Sequence, residues 1–71
     1  MNTGQIVRSM RLRRGITQRK LSELLGRSPQ YIAVIETREG SCRFCTIEEI
    51  AKVLGYKIIF RPIDEYEKEK N

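Results

Sequence analysis

Histidine is absent from this chain of 71 residues, and cysteine is limited to two. Without histidine, the commonest general base and a common nitrogen ligand for metals are both missing. Neither cysteine has a base to pair with, and no two carboxylates stand in a recognisable pocket sequence, so the residues do not point to an enzyme. The cysteines form Cys42-Arg43-Phe44-Cys45, a spacing that can chelate zinc or cycle as a disulfide. One such pair without histidine cannot complete four ligands within a single chain. They read as reduced cysteines in a loop, one or both half-buried; a zinc shared between two chains and a redox switch are the alternatives. No metal and no cofactor is expected. Long apolar runs are also lacking. No segment nears the roughly eighteen residues of a membrane span, and no apolar stretch follows the N-terminal basic residues as in a secretory signal. The expectation is a soluble, cytoplasmic protein with no membrane partner.

What the chain does have is positive charge, unevenly spread. Lys and Arg number fourteen against nine Asp and Glu, a net charge of +5. Residues 1–60 hold eleven basic and five acidic side chains, a balance of +6, whereas residues 61–71 hold three and four, a balance of −1. The basic part is therefore the part expected to fold. A positive face suits a polyanion, because each phosphate it neutralises releases a condensed counterion. At this length the chain is one domain near the size where a single core is marginal and a partner chain helps.

Apolar spacing then gives four helices. A first helix is predicted from Gly4 to Arg14, with Ile6, Val7 and Met10 inward, Arg8, Arg11, Arg13 and Arg14 mostly outward, and Gly15 ending it. Leu21, Leu24 and Leu25 repeat on one face of a second helix, and Ile32 and Ile35 do so on a third. Thr17 can cap the second through the N–H of Lys20. Ser28 can cap the third, with Pro29 in its first position, where no N–H is missed. Gly26 supplies the positive φ that a tight turn between helices needs, and Ser22 is small enough to let the third helix approach the second. A charged loop from Thr37 to Cys45 leads to a fourth helix over Thr46–Leu54, where Thr46 and Glu49 form a capping box and Ile47, Ile50, Ala51 and Leu54 make the buried stripe.

Residues 17–36, TQRKLSELLGRSPQYIAVIE, thus resemble the helix-turn-helix of the Cro/repressor class, often called the XRE-like family. The resemblance runs from about Gln5 to Leu54. It is carried by Thr17-Gln18, Leu21, Ser22, Leu25, Gly26, Ile32, Ile35 and Glu36; the departures are Arg27, where an aliphatic residue is usual, and Ser22, where Ala is commoner. It implies a mainly α, lambda-repressor-like bundle of four helices and a regulator that binds double-stranded DNA. It also implies that Gln18 grips the DNA backbone, that the positions of Pro29, Gln30 and Val34 face bases, and that Arg11 and Glu36 form a structural ion pair joining the first helix to the third.

After Gly55 the periodicity changes to two. Tyr56, Ile58 and Phe60 alternate with Lys57, Ile59 and Arg61 until Pro62, which reads as a strand about 23 Å long. A lone strand cannot satisfy its own backbone, and its cheapest partner is the same strand of a second copy. Tyr56, Ile58, Ile59 and Phe60 are accordingly expected to pair across a homodimer; a short fifth helix, or an edge tucked onto its own core, are the alternatives. A strand here resembles the HipB-like antitoxin branch of the family, in which it joins two protomers. The domain reading is residues 1–55 for DNA binding, 56–63 for dimerisation and 64–71 as a flexible charged tail.

A recognition helix over Ser28–Thr37, roughly 15 Å long, would fit a major groove. It presents Gln30, Tyr31, Ala33 and Val34 to base edges, with Thr37 also exposed. Gln30 can pair bidentately with adenine, while Ala33 and Val34 offer only apolar contact. Phosphate contacts are expected from Thr17, Gln18, Arg19, Arg27, Ser28, Arg38, Arg43 and the hydroxyl of Tyr31. The functional expectation is a dimeric repressor on a palindromic operator. A toxin protein is a further partner if the chain is also an antitoxin. A phage or restriction-system regulator without a toxin, or an interaction module that kept the fold and lost DNA binding, are the other readings.

Overall fold

The computed structural model describes residues 2–37 and 42–64, which form four helices: α1 (Thr3–Arg13), α2 (Gln18–Leu24), α3 (Tyr31–Thr37) and α4 (Phe44–Val53). The start of α1 is a reciprocal capping box that spacing alone had not singled out. Asn2 Oδ1 accepts the Gln5 N–H at 2.9 Å while Gln5 Oε1 accepts the Asn2 N–H at 3.0 Å, which satisfies two donors the helix itself cannot. α2 is capped by Thr17, whose Oγ1 accepts the Lys20 N–H at 3.0 Å.

Two helix starts differ from expectation. Ser28 does not cap α3: its carbonyl accepts the Tyr31 N–H at 3.0 Å, closing a turn with Pro29 and Gln30 in the middle, and α3 begins only at Tyr31. Ser followed by Pro is favoured equally at the first two positions of such a turn and at a helix start, so the dipeptide does not distinguish them. In the fourth helix, Thr46 and Glu49 make no capping box. α4 starts earlier, at Phe44, with Arg43 as N-cap and no side-chain cap hydrogen bond. The gain from the earlier start is burial, since Cys42 and Ile47 pack against the core on either side of that first turn.

The core comprises Val7 of α1, Leu21 of α2, Ile32 and Ile35 of α3, Ile50 of α4 and Leu54 at its C-cap, with Met10, Ile16, Leu25, Tyr31 and Tyr56 packed around it. At roughly 1.5–3 kcal/mol per buried aliphatic side chain this is a small reserve against chain entropy, so individual polar ties carry weight. α3 lies against both α1 and α2, and α4 closes on α1. Three side chains depart from the predicted faces: Ile6, expected inward, is exposed at the margin of the α1 stripe, leaving Val7 and Met10 to face the core; Leu24 is half exposed, leaving Leu21 and Leu25 as the inward pair of α2; and Arg11, expected outward, is buried.

Beyond α4 the chain reverses. The Tyr56 N–H donates to the Ala51 carbonyl at 2.7 Å, Arg14 donates to the Gly55 carbonyl at 3.4 Å, and the Arg14 guanidinium lies 4.7 Å from the centre of the Tyr56 ring. Phe60 then meets Phe44, with ring centres 5.8 Å apart, so residues 56–60 run back along α4. Tyr56 and Ile58 are half-buried while Lys57 and Ile59 are exposed, so the period of two holds as far as Ile59; Phe60, expected on the face of Tyr56 and Ile58, is mostly exposed. No strand forms among the described residues: a strand is defined by a ladder, and no described segment lies alongside to make one, so the backbone of Lys57–Phe60 makes no hydrogen bond to the described residues. The segment is thus an edge resting on its own helix. The tail beyond Asp64 lies outside the described residues.

Candidate nucleic-acid interface

α2, the turn at Gly26 and α3 form one unit. The Gly26 N–H donates to the Glu23 carbonyl at 2.9 Å and the Arg27 N–H to the Ser22 carbonyl at 3.0 Å, with Gly26 at φ 69°. This paired closure takes up two end carbonyls of α2 and requires the left-handed conformation that glycine adopts without strain.

Three contacts then fix where α3 sits. The first is polar and buried: Ser22 Oγ donates to the Gln18 carbonyl at 2.8 Å and accepts the Ile32 N–H at 3.1 Å. A helix leaves its first N–H groups without internal partners, and here a hydroxyl from α2 supplies one across the interface. Sequence reading had valued Ser22 only for its size; the signal for its second role was the hydroxyl itself at a position where alanine is usual. The second is an approach of α1 to α3 at Gly4, where an added Cβ would stand 2.7 Å from the Ile35 carbonyl oxygen and 2.8 Å from that of Glu36. Only a residue without a side chain permits it, and nothing in the spacing of the first helix marked this contact.

The third is a charged network. Arg11 Nε lies 2.7 Å from Glu36 Oε2 and Arg11 Nη2 donates to Glu36 Oε1 at 3.1 Å, while Arg11 Nη1 donates to the Ile16 carbonyl at 2.8 Å. Gln18 Nε2 adds a third hydrogen bond to Glu36, at 3.0 Å. Both charged side chains are almost wholly buried, at 8% and 2% exposure, so the fork geometry and the added donors are what make the burial tolerable. One carboxylate thereby ties α1, the start of α2 and the end of α3 together.

The model of a helix-turn-helix family matches residues 7–60 of the chain. The chain belongs to the XRE-type helix-turn-helix family. That family consists of DNA-binding regulators and is not enzymatic. No curated protein and no solved structure matches the chain.

Within this helix-turn-helix domain, the residues expected at base edges lie on and just before α3. Gln30 is exposed in the turn that precedes the helix, not in it; Val34 is 54% exposed; Tyr31 and Ala33 are half-buried. Thr37 is exposed, and its hydroxyl donates back to the carbonyls of Ala33 and Val34. Of the residues expected at phosphates, Thr17 caps α2, and Gln18 commits one amide N–H to Glu36. Arg19 faces Glu23 at 3.7 Å on the open side of α2, while Ser28 is exposed in the turn. Arg27 lies over the Tyr31 ring, 5.1 Å from its centre. Arg43 is exposed at the N-cap of α4, and Arg38 lies outside the described residues.

No disulfide joins Cys42 and Cys45, and the described residues contain no group of three or more His, Cys, Asp and Glu side chains able to hold a metal. Nor does any described helix have the length and apolarity to cross a membrane. An open groove of about 560 Å³ runs between α4 and the returning segment, lined by Cys45, Glu48, Glu49, Lys52, Tyr56 and Ile58 among others.

Proposed function

We propose that this helix-turn-helix chain is a sequence-specific repressor that acts as a homodimer on a palindromic operator. The observation that carries the reading is the anchoring of α3: Ser22, Gly4 and Glu36 hold its inner side, so Val34 and Thr37 stand outward on a short rigid helix and Gln30 stands outward in the turn that leads into it. Seven residues span about 10 Å, which a major groove about 12 Å wide accommodates end-on or along its floor. Gln30 supplies the one bidentate amide. Tyr31, Ala33 and Val34 add apolar complementarity, so direct readout is sparse and the sequence dependence of DNA shape contributes to selection. Thr17, Gln18, Arg19, Arg27, Ser28, Arg38 and Arg43 form the phosphate-binding border.

Dimerisation is assigned to residues 56–63. Ile59, Phe60 and Ile63 are 67%, 78% and 76% exposed, and Phe44 beside them is 52% exposed. Together with a backbone that makes no hydrogen bonds to the described residues over Lys57–Phe60, this is an apolar edge suited to antiparallel pairing with its own copy. Two domains joined there would place their reading helices on half-sites about 34 Å apart.

Selection of bound sites from random duplexes, with the mass in solution recorded alongside, tests the whole reading. An enriched palindrome and a dimer mass support it. No enrichment at low salt would move the assignment to an interaction module, for which the apolar Ala33 and Val34 are the favouring observation. The two also differ in salt response: DNA binding weakens steeply with salt, by a log–log slope near −0.9 for each phosphate contacted, whereas an apolar protein interface barely responds. An antitoxin role is the extension of the dimer reading favoured by Leu12 and Val53, which are exposed outside both the reading helix and the C-terminal edge. Co-purification of the dimer with the product of a neighbouring gene tests it, and failure to retain any such product favours a regulator without a toxin.

A further inference from the structure

Resting on the DNA-binding reading, we propose that Tyr31 is a positioning residue for Arg27, and that the two side chains act as a single phosphate clamp beside the reading helix. Arg27 lies in the turn between α2 and α3. It is exposed, and its guanidinium carbon stands over the Tyr31 ring, 5.1 Å from the ring centre. Tyr31 is half-buried and packed against the core, so the ring is the fixed partner and the arginine the one being held. The backbone of Arg27 is fixed as well, through its N–H to the Ser22 carbonyl at 3.0 Å.

A cation held over an aromatic ring engages the ring's electron-rich face and takes up no hydrogen-bond acceptor, so the contact positions the guanidinium without pairing its fork to another protein group. No carboxylate among the described residues competes for it: Arg11 is taken by Glu36, and Glu23 faces Arg19. A planar fork held in one orientation matches two oxygens of one phosphate, and it binds them with less rotamer freedom left to lose than an unstacked arginine. Arg27 stands in the turn four residues before the start of α3, off the helix assigned to the bases, so a backbone oxygen is the acceptor it is placed to meet.

The test uses the full chain and the duplex recovered by site selection, with dissociation constants measured from about 50 to 200 mM salt. Arg27→Ala is expected to reduce the magnitude of the salt slope by about 0.9, and to weaken operator and scrambled duplex by the same factor. Tyr31→Phe keeps the stack and the wild-type slope. Tyr31→Leu, with Tyr31→Met as a second version should leucine not pack, loses the platform: it reduces affinity in the wild-type background by more than in the Arg27→Ala background, where only the ring's own apolar contact with the bases is left to lose. Melting curves without DNA accompany each variant, because a purely structural role for Tyr31 would lower stability without this non-additivity. An unchanged slope in Arg27→Ala overturns the clamp. So does a loss confined to one base pair, which would make Arg27 a base reader, or additive losses from the two positions, which would make them independent. If the wild-type chain binds no duplex, the DNA-binding reading itself fails, an outcome distinct from an Arg27→Ala protein that binds with the wild-type slope.

Discussion

Truncation of Arg11 is the most demanding test of the architecture, because it removes one partner of a buried pair and leaves the other in place. In Arg11→Ala the Glu36 carboxylate, 2% exposed, keeps only the hydrogen bond from Gln18, and the Ile16 carbonyl loses its donor. Leaving one member of a buried ion pair uncompensated costs about 3–5 kcal/mol. A chain of 71 residues has a total stability of roughly 4–11 kcal/mol, so the loss is about a quarter of it at the least and can exceed it. With roughly 4–8 °C of melting temperature per kcal/mol in a domain of this size, the midpoint should fall by at least about 12 °C. Far-ultraviolet circular dichroism melts of both proteins at matched concentration measure this directly. The mechanism also fixes the behaviour of a double variant. If the cost comes from the orphaned charge, Arg11→Met with Glu36→Met melts above Arg11→Ala, since an apolar pair of similar volume leaves no charge behind. A midpoint within about 2 °C of wild type for Arg11→Ala would refute the argument, and a double variant that melts below the single would refute the orphaned-charge account of it.

Three further outcomes follow from the contacts around α3 and the C-terminal edge. Gly4→Ala, favourable for a helix in isolation, should lower stability by about 1–3 kcal/mol because its Cβ meets two backbone carbonyls that cannot swing away; a rise in melting temperature would show that α1 can slide off α3. Ser22→Ala removes the acceptor of the buried Ile32 N–H and should cost about 1–2 kcal/mol in a thermal or urea melt despite alanine's better helix propensity; neutrality would mean that water replaces the hydroxyl. Ile59→Lys with Phe60→Lys should leave the monomer's helical signal and core intact, since both side chains are mostly exposed, while abolishing a dimer mass in light scattering; a dimer that survives would move the interface elsewhere.

The three glycine-terminated helix ends, the Thr17 cap and the inward faces built on Leu21, Ile32, Ile35, Ile50 and Leu54 were legible in the sequence, because each follows from periods and caps that act within a few residues. The helix-turn-helix itself was legible for the same reason, since its turn and both its faces lie within twenty residues. The two misplaced helix starts share another cause. Ser28-Pro29 and Thr46-Glu49 satisfy local rules that more than one conformation obeys, and burial around Cys42 and the turn closing on Tyr31 decided between them.

What tertiary structure alone decided are the long-range contacts. Helical period assigned Arg11 an outward face, and its pair with Glu36 was expected only from the family resemblance; the structure forms that pair, and the carboxylate 25 residues away takes the guanidinium inward because a paired and hydrogen-bonded charge can be buried where an isolated one cannot. Gly4 was an ordinary helix residue until α3 crossed it, and Ser22 an ordinary small one until the Ile32 N–H arrived without a partner. The return of residues 56–60 along α4 likewise depends on Phe44 meeting Phe60 and Arg14 meeting Tyr56. Local periodicity determined which segments are helices and which faces are apolar, since those preferences are written residue by residue; the orientation of α3, and hence which of its side chains face outward, was decided by three contacts that exist only once distant segments are brought together.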